Sequence, residues 1–157
     1  MKKELSFTEI MQKYIHAGLK TDVTPFSTKR TKWDSIAPLE ERIDKLLGII
    51  NRSERNAGNM IFFVMYDITS NKVRTQVVKY LEKKGCLRIQ RSIFLADLPS
   101  SIFSQIKSDL AEVQAAYDNE DSIMVVPFST DYLKSMKIIG KKIELDVILH
   151  NKTTLFF

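Results

Sequence analysis

The chain has a single cysteine, Cys86, and only two histidines, His16 and His150, in 157 residues. One thiol closes no internal disulfide, so Cys86 reads as a small buried apolar residue, suited to a reducing compartment. Two isolated histidines give no metal-binding constellation. The five glycines form no glycine-rich phosphate loop, and no nucleophile stands beside a base in a known motif. No apolar run reaches transmembrane length, and the N-terminus, MKKELSFTEI, lacks the apolar segment of a signal peptide. The expectation is a soluble, cytoplasmic protein with no membrane partner.

What is present suits one compact domain, or a small domain with an extension, and an apolar content of 44% is enough for a real core. The net charge of +5 is modest but unevenly spread. In residues 72–91, Lys72, Arg74, Lys79, Lys83, Lys84, Arg88 and Arg91 stand against Glu82 alone, whereas residues 97–121 are acidic with Lys107 as the exception. A basic side is where phosphates bind, although two ordinary solvated helix faces would give the same pattern.

Ser6 and Glu9 have the spacing of a capping box, and Phe7, Ile10, Met11, Tyr14 and Ile15 share a helical face, which predicts a helix to about Gly18. Residues 20–32 contain Pro25, have no periodicity and end in Lys29, Arg30 and Lys32 beside Trp33, as a surface loop does. Asp34 or Ser35 is the expected cap of a second helix with apolar positions Leu39, Ile43, Leu46, Leu47 and Ile50. Residues 51–59, NRSERNAGN, read as a linker, so residues 1–59 are expected to form a helical extension and residues 60–157 the core.

The core opens on residues 60–67, MIFFVMYD, a buried central strand that carries one carboxylate to its C-terminal end. A basic amphipathic helix follows, buried through Val73, Val77, Tyr80 and Leu81 and closed by Gly85. Residues 87–95 read as a strand pair, a helix after Pro99 buries Phe103, Ile106, Leu110, Val113 and Tyr117, and residues 122–128 form a strand whose Pro127 marks an end or an edge. Residues 143–149 are a last strand. The order predicts an α+β, ferredoxin-like fold, β-α-β-β-α-β with a C-terminal strand, which alone licenses no functional claim.

Particular residues narrow this further. Tyr66-Asp67-Ile68, Lys72 and Arg74, Gly85 before Arg88, Gln90-Arg91-Ser92-Ile93-Phe94, Asp121-Ser122-Ile123, Val126-Pro127-Phe128 and Ile138-Ile139-Gly140 follow in an order and spacing that resembles the family called CRISPR-associated protein two, from Met60 to about Leu149. The resemblance implies a ferredoxin-like prokaryotic homodimer that bridges dimers of the CRISPR integrase, CRISPR-associated protein one, and holds double-stranded DNA during spacer acquisition. Some members are described as metal-dependent endonucleases, and Asp67 matches their metal-binding, catalytic aspartate, with Mg²⁺ or another divalent cation as cofactor. One carboxylate holds Mg²⁺ weakly, so that role needs a second copy across a two-fold axis. The other reading of Asp67 is a cap on the helix that follows.

Lys72 and Arg74 match the family's duplex contacts, which read phosphates because spacer sequence is arbitrary. Both oppose the helix dipole at a helix start, and a phosphate would compensate. Arg88, Arg91 and Ser92 are candidate helpers. Where many members carry an acid directly after the phenylalanine of Ser-x-Phe, this chain has Leu95, with Asp97 two places later. Leu155, Phe156 and Phe157 form an apolar end expected to anchor the integrase by strand addition. Two other function classes stay open: a toxin-type metal-dependent endoribonuclease acting on single-stranded RNA, and a generic ferredoxin-like binding module.

Overall fold

The computed structural model describes residues 5–16, 35–116, 120–140 and 143–146. Ser6 and Glu9 close the expected capping box, the Ser6 amide donating to Glu9 Oε2 at 2.7 Å and the Glu9 amide to Ser6 Oγ at 3.2 Å. They start helix α1, Phe7–His16. Helix α2, Leu39–Ile50, departs from expectation at its start. Its N-cap is Pro38, with no side-chain cap bond, rather than Asp34 or Ser35. Proline disfavours helical backbone in the residue before it, so Ala37 stays outside the helix. Residues 20–32, with their basic cluster and Trp33, lie outside the described residues.

Strand β1, Asn59–Asp67, is the centre of a four-stranded antiparallel sheet ordered β2-β3-β1-β4, with β2 at Leu87–Gln90, β3 at Ile93–Pro99 and β4 at Ser122–Phe128. Helix α3, Asn71–Lys83, connects β1 to β2, and α4, Ser100–Ala115, connects β3 to β4. This is the ferredoxin-like arrangement the element order predicts. Pro127 sits on β4, an edge strand, where its missing N–H costs no ladder bond. Gly85, at φ +93°, follows α3 in a left-handed conformation. The Cys86 amide donates to the Leu81 carbonyl and the Gly85 amide to that of Glu82, so the chain turns tightly into β2.

Alternation along β1 sorts the core into two halves. Phe62, Val64 and Tyr66 face α3 and α4, and pack with Val77, Leu81, Phe94 and Ile106. Met11 of α1 is buried in this cluster, and Phe7 stacks on Tyr80 with ring centroids 4.3 Å apart. Ile61 and Phe63 face the other way and pack with Leu95, with Leu46 and Ile50 of α2, and with Leu133 of a short helix α5, Thr130–Lys134. The two extension helices therefore lie on opposite faces of the sheet. Residues 51–59 are also tied in: Asn59 pairs with Pro99 as the first residue of β1, and Arg52 lies 3.6 Å from the carboxylate of Asp97.

Helix α5 and strand β5, Lys137–Gly140, were not foreseen as elements. Strand β5 pairs with β6, Ile143–Asp146, in a separate two-stranded sheet. Residues 143–146 realise the start of the expected last strand, and residues 147–149 lie outside the described region, as do Leu155, Phe156 and Phe157. No helix among the described residues is long and apolar enough to cross a membrane.

Candidate nucleic-acid and metal site

The C-terminal end of β1 opens into a cleft of about 370 Å³ lined by Tyr66, Asp67, Arg91, Ser92 and Ser122, with Met65, Gln90, Ile93 and Met124 around them. Three residues singled out from the sequence, Asp67, Arg91 and Ser92, thus meet in one place. Asp67 lies opposite Ser122 in the β1–β4 register, and Met65 opposite both Ile93 and Met124. Asp67 therefore shares the outer face of the sheet with Met65, the face turned away from α3 and α4.

Asp67 does not cap α3. Ser70 does, its Oγ accepting from the Val73 amide at 3.5 Å, because three residues separate the strand end from the helix start and carry the chain past reach of Asp67. The Asp67 carboxylate is exposed and makes no side-chain hydrogen bond or ion pair with any described residue. The loop is held instead by Asp121, a buried carboxylate at the mouth of β4 whose Oδ1 accepts from the Thr69 amide at 2.9 Å. Asp121 belongs to a motif noted in the sequence, but nothing there shows that its partner is a backbone amide far along the chain.

The turn between β2 and β3 is fixed from behind. The Arg91 carbonyl accepts from the Tyr66 hydroxyl at 3.1 Å and from Arg88 Nη2 at 2.8 Å and Nε at 3.3 Å, while the Tyr66 amide donates to the Ser92 carbonyl at 3.1 Å. Burial pushes the Tyr66 phenol above its usual range, against the opposing pull of the Arg88 and Arg74 guanidinium groups, so Tyr66 remains a donor. Arg88 also lies 5.9 Å from the Phe94 ring centroid.

The cations differ in what holds them. Arg74 donates to the Ile68 carbonyl at 3.4 Å and to Asn71 Oδ1. It thereby braces the β1–α3 connection, which corrects the expectation that it gives the helix start no local support: the guanidinium reaches back to the Ile68 carbonyl before the helix and to the side chain of Asn71, the first helical residue. Arg88 braces the turn. Lys72 and Arg91 are exposed, and their side chains make no hydrogen bond or ion pair with a described residue; Arg91 lines the cleft, and Lys72 stands at the start of α3.

Asp97 does not replace the missing acid after Phe94. It pairs with Ile61 in the β1–β3 register, six residues along β1 from Asp67 and so about 20 Å away. Its side chain is 3% exposed, held by Arg52 and by Asn59 Nδ2 at 3.2 Å. Among the described residues no three His, Cys, Asp or Glu side chains converge as a metal site. Among the described residues of one chain the cleft offers Asp67 as its one carboxylate, flanked by Ser92 and Ser122. That donor set fits Mg²⁺ as half of a site, since Mg²⁺ is commonly held by one or two carboxylates with phosphate oxygens and water completing its shell.

Comparison with known proteins bears on this geometry. Residues 60–136 match the family model described as CRISPR associated protein Cas2. The chain is 31% identical over 86 residues to the CRISPR-associated endoribonuclease Cas2 of Korarchaeum cryptofilum, covering 54% of this chain and 88% of that protein. It is 40% identical over 53 residues to the CRISPR-associated endonuclease Cas1/endonuclease Cas2 fusion of Thermoproteus tenax, covering 34% of this chain and only 20% of the fusion. Helices α1 and α2 precede the matched region.

Proposed function

This chain belongs to the CRISPR-associated protein Cas2 family, and from that premise we propose that it is a homodimeric CRISPR adaptation subunit that grips duplex DNA by its phosphates. The observation that carries the reading is the pairing of two exposed cations, Lys72 and Arg91, with a cleft in which, among the described residues, Asp67 is the one carboxylate, none of the three side chains making a hydrogen bond or ion pair with a described residue. Phosphate contacts tolerate any sequence, as a subunit handling arbitrary spacers requires. Arg74, Arg88 and Ser92 place these groups: Arg74 sets the strand-to-helix loop, Arg88 the turn, and Ser92 offers a hydroxyl at the cleft floor. The relative in Thermoproteus tenax carries Cas1 and Cas2 names in one protein, which supports association of this chain with a separate Cas1 integrase. Bridging of two integrase dimers, with Leu155, Phe156 and Phe157 as anchor, completes the proposal.

The test is copurification with the Cas1 protein of the same genome, with and without a short duplex. Ternary assembly that Lys72→Glu with Arg91→Glu abolishes, while the binary protein complex persists, is the expected result. Assembly unaffected by both reversals sinks the DNA-gripping role.

The endoribonuclease name of the Korarchaeum cryptofilum relative, together with an unengaged Asp67, favours a second reading as a divalent-metal nuclease on RNA or DNA. Asp67 from each of two copies would hold the ion, which when bound supplies an activated water and charge stabilisation at phosphorus. Ser92 and Arg91 orient the phosphodiester, and the raised pKa of Tyr66 keeps its hydroxyl as a donor to the turn rather than an acid in the reaction. Mg²⁺-dependent cleavage lost in Asp67→Ala is expected. Equal cleavage by both proteins would point to a contaminant and end this reading.

A further inference from the structure

Helix α2 lies ahead of the residues that match the family model, yet it reaches the strand that leads into the turn carrying Arg91 and Ser92. The β2–β3 register passes from Arg88 opposite Phe94 to Gln90 opposite Ile93 and skips Ile89, as at a β-bulge. A bulged residue is left out of the ladder, so its backbone groups need other partners. Arg42 of α2 supplies one. Its Nη1 donates to the Ile89 carbonyl, 47 residues along the chain, while its Nε donates to the Ala37 carbonyl at 2.7 Å. We propose that Arg42 is a positioning residue for the nucleic-acid site, and that through the Ile89 carbonyl it sets the β2–β3 turn and so the aim of Arg91.

Three observations carry this. The Ile89 and Arg91 carbonyls flank Gln90, and each accepts from an arginine, Arg42 at the first and Arg88 at the second, so the chain entering the turn is held on both sides of Gln90. Gln90, Arg91, Ser92 and Ile93 all line the Asp67 cleft, so a turn free to rock at its bulge would move one wall of that cleft. The brace is also fixed at its source. Arg42 is half-buried, its guanidinium bonds carbonyls on two different segments, and α2 itself is anchored on the sheet by Leu46 and Ile50. A planar charged donor that holds two acceptors at once loses less freedom per bond than a flexible one does. The inference rests on the phosphate-gripping reading above and adds a residue outside the family match that acts on that site through Arg91.

The test pairs amide hydrogen exchange of the full chain with duplex binding by fluorescence anisotropy, for wild type, Arg42→Ala, Arg91→Ala and the double variant. The Tyr66 amide donates to the Ser92 carbonyl and so reports the turn, whereas the Val64 amide lies in the middle of β1 and reports the whole sheet. Exchange at Tyr66 should quicken by about tenfold or more in Arg42→Ala, with Val64 unchanged. Arg42→Ala should weaken duplex binding by about threefold or more yet keep the wild-type salt slope, because the same phosphates are neutralised once the turn is in place. On the Arg91→Ala background it should add nothing further, and Arg42→Lys, which keeps a charged donor, should recover part of both effects. Tyr66 exchange at the wild-type rate overturns the brace, and so does Val64 released together with Tyr66, which would make Arg42 a residue of the fold at large. A lowered slope, or losses at Arg42 and Arg91 that multiply, would mean that Arg42 touches phosphate itself and would overturn the positioning role. Arg91→Ala binding like wild type removes the phosphate reading and with it the part given to Arg42, whereas weakened binding in Arg91→Ala without any in Arg42→Ala overturns this inference alone.

Discussion

Neutralising the outward cations one at a time should change how duplex binding responds to salt before it changes anything else. Lys72 and Arg91 are exposed and their side chains make no hydrogen bond or ion pair with a described residue, so replacing either with alanine should remove one of the proposed phosphate contacts without breaking a polar contact of the fold. Each phosphate neutralised contributes about 0.9 to the slope of log affinity against log salt, and the proposed dimer would lose two contacts per substitution, so the slope should fall by about 1.8. Between about 50 and 200 mM salt, that fall makes the variant's loss of affinity about twelvefold smaller than the wild type's. Arg88→Ala is the control. Its guanidinium is committed to the Arg91 carbonyl and packs near Phe94, so its removal should cost about 1 kcal/mol of stability with little effect on slope. Fluorescence anisotropy of a labelled duplex over a salt series, beside thermal melts, reads both quantities. Wild-type slopes in Lys72→Ala and Arg91→Ala, or an Arg88→Ala slope reduced as much with an unchanged melt, would refute the assignment of roles.

Asp67→Asn should leave stability within about 0.5 kcal/mol of wild type, since the carboxylate makes no hydrogen bond or ion pair with a described residue and does not cap α3, while removing any Mg²⁺-induced rise in melting temperature. Arg52→Ala should destabilise by about 1–3 kcal/mol because it leaves the Asp97 carboxylate buried without its counter-charge, and Asp97→Asn added to it should recover part of that loss in denaturant melts. Stability should fall on the alkaline side. Burial pushes the Cys86 thiol up to about 12 from 9.0, and burial followed by the Asp109 carboxylate raises the Tyr80 phenol. Both groups hold their protons more tightly when folded, so their contribution is intact below about pH 9 and declines as pH climbs towards 12, by up to about 1.4 kcal/mol per unit for each group. Cys86→Val should flatten the pH 9–12 portion of that decline, and a profile identical to wild type would show that the thiol has no part in it.

Much of the core was legible because its signals are local. The capping box at Ser6 and Glu9, the apolar run of β1, the helical spacing of Val73, Val77 and Leu81, and Gly85 at the turn each declare themselves within a few residues. What escaped depends on contacts distant in sequence. Helix α5 and strand β5 are short, and their apolar residues make sense only against the outer sheet face. Asp121 reads as one more acid until it meets the Thr69 amide. Nor does the sequence distinguish Arg74 and Arg88, which brace backbone carbonyls, from Lys72 and Arg91, which face outward. The cap on α3 is a local signal too, since Ser70 stands three residues before Val73, although Asp67 offers a competing cap in the same stretch.

The placement of α1 and α2 also sets an order of events in time. Both helices leave the ribosome before any strand of the sheet they cover, and α1 finds its partners, Tyr80 and Val113, only after almost half the chain or more has followed it. Until then its apolar stripe has nothing to bury against, and a short amphipathic helix alone is marginal in water. A segment synthesised ahead of the whole sheet is thus among the last to settle, which makes folding slower than the ferredoxin-like core alone would need. A chain released before α4 is complete would present Phe7 and Met11 to whatever else is near.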